Sequence, residues 1–130
     1  MSSVVVVDGM AEIRQVIELW LRELGCVVIC VDSGRKAVRI LSRVQVDIVI
    51  TDVLMPEVDG LELITGLRRT QPSARIIAMT GGGVYLDSAH CLRLAKGLGA
   101  VATLRKPFRR DQFLETVSPF LMSRDSAATA

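Results

Sequence analysis

Residues 46–60 read Val-Asp-Ile-Val-Ile-Thr-Asp-Val-Leu-Met-Pro-Glu-Val-Asp-Gly, and this stretch decides the fold. Its apolar run, Ile48 to Ile50, has the β-branched character of a strand buried on both faces. The run closes on Thr51-Asp52, and Pro56 and Asp59-Gly60 mark a turn directly after it. In an open α/β sheet, ligands bind just outside the carboxyl ends of the strands. Asp52 stands at such an end, so its carboxylate is expected to face a crevice.

Outward from this segment the chain alternates short apolar runs with helical stripes. Val4–Val7, Val27–Val31, Asp47–Thr51, Arg75–Thr80 and Val101–Leu104 read as strands. Ile13, Ile17, Trp20, Leu21 and Leu24 form one helical stripe, stopped by Gly25. Ala37, Ile40, Leu41 and Val44 form a second, with Asp32 or Ser33 as its N-cap. Leu61, Ile64 and Leu67 form a third, with Pro72 beyond its end. A less regular fourth runs through Leu86, Ala89, His90, Leu92, Arg93 and Ala95 to Gly97 or Gly99. Phe113, Leu114, Val117 and Leu121 form a fifth. Five β-then-α units with short connections predict a flavodoxin-like, doubly wound α/β sandwich, its parallel sheet ordered 2-1-3-4-5.

A chain of 130 residues suits one domain, here read as residues 1–122, with a small polar tail, 123–130, expected to be disordered. The net charge of +2 and the pI of about 8.6 make no case for nucleic acid. With no helix-turn-helix pattern, no DNA partner is expected. Met1-Ser2-Ser3 carries no basic region, and Val4–Val7 is too short for a signal peptide or a membrane span. The odd count of three cysteines fits a reducing compartment better than a disulfide framework. Cys26 and Cys30 have no His or Cys pair beside them, so zinc is not expected. The expectation is a cytoplasmic protein without a membrane partner.

Four polar groups fall at carboxyl ends of the expected strands: Asp8, Asp52, Thr80 and Lys106. In the order 2-1-3-4-5 they converge on one mouth. Two carboxylates offer hard oxygens to Mg²⁺, the lysine a positive charge, the threonine a hydroxyl. Such a set suits charge on a transferring phosphoryl group, and one carboxylate could itself be the nucleophile. Gly81-Gly82-Gly83 has no following Gly-Lys-Ser/Thr, which excludes a P-loop.

These residues carry a resemblance. Val4–Asp8, Asp52–Gly60 (D-x-x-M-P-x-x-D-G), Thr80 and Lys106-Pro107-Phe108 are similar to the receiver domain of two-component response regulators, over about residues 3 to 122. The resemblance implies that Asp52 is the phosphoacceptor, supplied by a histidine kinase or phosphotransfer protein. It implies that Asp8, Asp52 and the Leu54 carbonyl hold Mg²⁺, that Thr80 hydrogen-bonds the phosphoryl group, and that Lys106 pairs with it. It also implies a cis Lys106–Pro107 peptide. The chain would be a phosphoacceptor assisting its own phosphorylation and dephosphorylation, not a turnover enzyme, and would signal to a downstream output protein. A homodimer is left open. With nothing after about residue 122, output is expected to pass through a protein contact, unless the chain is a fragment.

Two positions depart from the family pattern. Asp8-Gly9 stands where two adjacent acids are usual, so weakened Mg²⁺ binding is expected; a glycine there would also ease the turn into the first helix. Thr103 stands where an aromatic ring is common, and Tyr85 is a candidate for part of its role. These departures keep a second reading open, a phosphorylation-independent pseudo-receiver acting as a binding module. A haloacid-dehalogenase-like phosphatase would need D-x-D after the first strand, and Asp8-Gly9-Met10 fails that test. Arg93, Lys96, Arg105, Arg109 and Arg110 mark either a solvated basic face or a surface for the kinase or output protein.

Overall fold

A computed structural model describes residues 1–54, 59–81 and 88–121. The expected turn at Pro56, the glycines at 82 and 83, Tyr85, Leu86 and the 123–130 tail lie outside the described residues. Five strands, β1 (Ser3–Val7), β2 (Val27–Val31), β3 (Ile48–Asp52), β4 (Arg75–Thr80) and β5 (Ala102–Arg105), alternate with five helices. The helices are α1 (Ala11–Glu23), α2 (Gly34–Leu41), α3 (Gly60–Thr70), α4 (Ser88–Leu98) and α5 (Arg110–Val117). The sheet is parallel throughout, in the order β2-β1-β3-β4-β5. The expected α/β architecture is the observed one.

Strand alternation sorts the core into two layers. Val5, Val7, Val49, Ile76 and Ala78 pack against Ala37 and Leu41 of α2, Leu63, Ile64 and Leu67 of α3, and Cys91 and Ala95 of α4. Val4, Val6, Ile48, Ile50, Ile77, Met79 and Leu104 pack against Ile17 and Leu21 of α1 and Phe113 and Val117 of α5. Central strands covered on both faces must be apolar at every position, which is why Val4 to Val7 are all buried. Phe113, with no exposed surface, anchors the second layer; Phe108 stacks on it at 5.9 Å, and Trp20 is tilted against Phe113 and Phe108 at 5.2 and 6.2 Å.

Several boundaries differ from the sequence expectation. β3 starts at Ile48 and runs on to Asp52; just before it, the Asp47 carboxylate accepts from the Ser3 amide and hydroxyl. β5 is displaced by one residue, to Ala102–Arg105. α2 ends at Leu41, leaving Val44 exposed. In α4 the buried residues are Cys91 and Ala95, with Leu92 only half-buried and His90 exposed. α5 stops at Val117 and passes into a 3₁₀ turn over Ser118–Phe120. Ser33 is the N-cap of α2, its hydroxyl accepting from the Lys36 amide.

Below the sheet, Gln71 ties the α2–β3 connection. Its buried side-chain amide accepts from the Val46 amide at 3.0 Å and donates to the Leu41 and Val44 carbonyls at 2.8 and 2.7 Å. At the other end, α3 begins in direct contact with β3. A Cβ on Gly60 would stand 2.2 Å from the Asp52 carbonyl oxygen and 2.6 Å from the Val53 Cα, so only glycine fits the first turn there.

Candidate functional site

Alternation carries the strands' facing past their ends. Asp8 continues the face of Val4 and Val6, Asp52 that of Ile48 and Ile50, and Lys106 that of Leu104. All three emerge at the carboxyl rim on the α1–α5 side. There the Lys106 ammonium donates to Asp8 Oδ2 at 2.5 Å and to Asp52 Oδ2 at 2.9 Å. The Lys106–Pro107 peptide is cis, as expected.

The two carboxylates are not equivalent. The Asp8 side chain is 1% exposed and that of Asp52 14%, so Asp52 alone can meet an incoming group. The other oxygens are fixed by backbone amides: Met10 N donates to Asp8 Oδ1 at 2.8 Å, and Leu54 N to Asp52 Oδ1 at 3.0 Å. Burial works against the Lys106 charge. Its hydrogen bonds to Asp8 and Asp52, and their charges, outweigh that penalty and hold its pKa above the ordinary lysine value.

Thr80 stands on the neighbouring strand and the opposite face, in the alternation of Ile76 and Ala78. Its backbone carbonyl accepts from the Lys106 amide at 2.8 Å, which fixes it at the same rim. The side chain is fully buried, and its hydroxyl has no hydrogen-bond partner among the described residues. A buried hydroxyl left unsatisfied is costly unless something else comes to bond it. The structure thus joins Asp8, Asp52 and Lys106 by contact and sets Thr80 at their edge.

The donor set fits Mg²⁺ in kind, since the Asp8 and Asp52 carboxylates and the carbonyl of the exposed Leu54 are hard oxygens. It is short in number: among the described residues, no group of three or more His, Cys, Asp or Glu side chains comes together. Gly9 is exposed, and a Cβ there would meet only the Asp32 carbonyl oxygen, at 3.9 Å. Its backbone lies outside the left-handed region, so the turn into α1 does not require glycine.

One contact was not legible from the sequence. Arg14, half-buried on α1, donates from Nη1 to the Asp8 carbonyl at 2.8 Å. A separation of six residues gives no local pattern to find it by. The basic residues named from the sequence divide in the structure: Arg110 pairs with Glu23 at 2.9 Å and Arg109 with Asp111 at 3.1 Å, while Arg93, Lys96 and Arg105 are exposed. Cys26 and Cys91 are buried, Cys30 is half-buried, and all three are free thiols.

The family model for the response regulator receiver domain matches residues 4–118. The chain belongs to the response regulator receiver family. This receiver domain is 31% identical over 121 residues to the chemotaxis protein CheY of Listeria monocytogenes, covering 90% of this chain and 96% of that one. It is 29% identical over 120 residues to the transcriptional regulatory protein GlrR of Escherichia coli, covering 92% of this chain but only 26% of that protein. Among solved structures, CheY4 of Vibrio cholerae superposes with a TM-score of 0.82 at 28% identity, covering 93% of this chain and 99% of the other. A receiver domain from Clostridium thermocellum gives 0.82 at 26% identity, covering 92% and 94%. Among the described residues, no helix is long and apolar enough to cross a membrane.

Proposed function

We propose that this receiver domain accepts a phosphoryl group on Asp52 from the phosphohistidine of a kinase or phosphotransfer protein and passes the change to a protein partner in the cytoplasm. The observation that carries this reading is the lysine-bridged pair of carboxylates, of which only Asp52 is open to an incoming group. In the transfer, the phosphorus–nitrogen bond of the donor breaks as a phosphorus–oxygen bond forms to an Asp52 carboxylate oxygen. The imidazole leaves with the bonding pair and takes up a proton. Lys106, already on Asp52, offsets the charge of the arriving phosphoryl oxygens, and the unsatisfied Thr80 hydroxyl gains an acceptor. Asp8, Asp52 and the Leu54 carbonyl would hold Mg²⁺, which supplies further charge neutralisation of the phosphoryl oxygens when bound. Gly9 contributes no ligand, so weak metal affinity is part of this reading. The protein is a phosphoacceptor that assists its own phosphorylation and hydrolysis, not a turnover enzyme.

Gly9 and the ringless Thr103 favour a second reading, a binding module that no longer needs phosphorylation. One experiment separates the two. Incubation with acetyl phosphate and Mg²⁺, followed by intact mass, should show one added phosphoryl group, absent in Asp52→Ala. No addition would overturn the phosphoacceptor reading.

A further inference from the structure

The turn that presents Asp8 contains a glycine at its next position, where the family pattern has an acid. Glycine leaves the flanking peptide more conformational freedom than any other residue. Yet the Asp8 carboxylate is placed closely enough to share one ammonium with Asp52. Three hydrogen bonds account for this. The Asp8 amide donates to the Val31 carbonyl at 3.2 Å, which ties the end of β1 to β2. The Met10 amide donates to the Asp8 carboxylate at 2.8 Å. The third comes from outside the turn, from Arg14 Nη1 to the Asp8 carbonyl at 2.8 Å. That carbonyl belongs to the Asp8–Gly9 peptide itself. It is one of the two peptides whose rotation glycine frees, and its rotation would carry the Met10 amide away from the Asp8 carboxylate that it holds.

We infer that Arg14 is a positioning residue: it clamps the Asp8–Gly9 peptide that glycine would otherwise leave free, and so sets the Asp8 carboxylate against Lys106 and Asp52. The guanidinium is suited to the task. It is planar, half-buried, and carried on α1, whose Ile17 and Leu21 are locked in the core. Arg14 touches neither Asp52 nor Lys106 in any described contact, so it acts through Asp8. The inference rests on the phosphoacceptor reading for its consequence, but not for its test.

The test uses Arg14→Met, Gly9→Ala and the double variant. Alanine fits at position 9 and restricts the peptide by itself. Arg14→Met in the otherwise wild-type chain should raise the Mg²⁺ concentration for half-maximal phosphorylation by acetyl phosphate roughly tenfold, the scale of losing an outer-shell support. In the Gly9→Ala background the same substitution should cost no more than about threefold, because the clamp is then partly redundant. A second readout needs no phosphorylation: the alkaline titration of Lys106, followed by NMR at its ε-methylene. In Arg14→Met its midpoint should fall toward that of an ordinary lysine as Asp8 withdraws. Should Arg14→Met not fold, Arg14→Lys, which lacks the planar fork, replaces it. An unmoved Lys106 midpoint, or equal losses in the wild-type and Gly9→Ala backgrounds, would overturn the inference. A wild-type chain that takes no phosphoryl group sinks the phosphoacceptor reading alone, and the Lys106 titration still decides the role of Arg14.

Discussion

Gly9→Asp restores the acid that the family pattern has after Asp8, and its effect can be worked out before it is measured. The position is exposed, the new Cβ meets nothing nearer than 3.9 Å, and the backbone there is ordinary. Strain should therefore be negligible. Asp8, Asp52 and Lys106 together carry two negative charges and one positive, a net −1; the substitution makes it −2. Two unit charges 4 Å apart interact by about 1 kcal/mol in bulk water and about 4 kcal/mol at an effective dielectric near 20. Mg²⁺ doubles that attraction, while its dehydration and the ordering of the new side chain offset most of it. A net gain of about 1.5–3 kcal/mol follows, or roughly 10- to 100-fold tighter Mg²⁺ binding. Without metal, the extra repulsion should lower stability by about 1 kcal/mol, a fall in Tm of roughly 3–5 °C. Titration calorimetry with MgCl₂ measures the first effect, and scanning calorimetry with and without Mg²⁺ the second. An affinity within twofold of wild type would refute the reasoning, since position 9 would then not reach the cation. A Tm loss that Mg²⁺ fails to restore would instead show that the turn needs glycine after all.

Lys106→Met strips the shared cation from two carboxylates and should cost about 3 kcal/mol at neutral pH, read by urea unfolding. The lysine's pKa is raised in the folded state. Its contribution is thus fully present below the ordinary lysine value of about 10.4 and is lost as pH rises through the higher folded value; the variant should lack that alkaline step, and an identical alkaline profile would contradict the assigned pairing. Thr80→Val keeps the shape and removes the unsatisfied hydroxyl, so the unphosphorylated protein should gain about 1 kcal/mol while its spectral response to phosphorylation shrinks. A destabilised Thr80→Val would mean that the hydroxyl has a partner in solution.

The layers of this fold were legible because valines and isoleucines alternate into both of them. Val4 to Val7, Ile48 to Ile50 and Ile76 to Met79 cannot be anything but covered strands. The site's membership was legible for the same reason, since a polar residue closing such a run must emerge at the rim. What one dimension hides is how each residue emerges. Asp8 proves more deeply enclosed than Asp52, although each carboxylate accepts from the amide two residues further on. Thr80 leaves on the other face, by a parity that the strand boundaries alone decide. Asp47 was read as strand because its neighbours are apolar, but its carboxylate captures Ser3, forty-four residues earlier. Arg14 was invisible because its partner is a backbone carbonyl, which no side-chain pattern records.

Gln71 shows what such ties do for the molecule as a whole. One amide closes three main-chain groups of a single stretch, those of Leu41, Val44 and Val46, by direct hydrogen bonds. Its loss would orphan all three at once, so the amino-terminal floor of the sheet is a keystone arrangement with little freedom to creep. A rearrangement provoked at the rim therefore meets, at the opposite end of the sheet, a base held by these bonds.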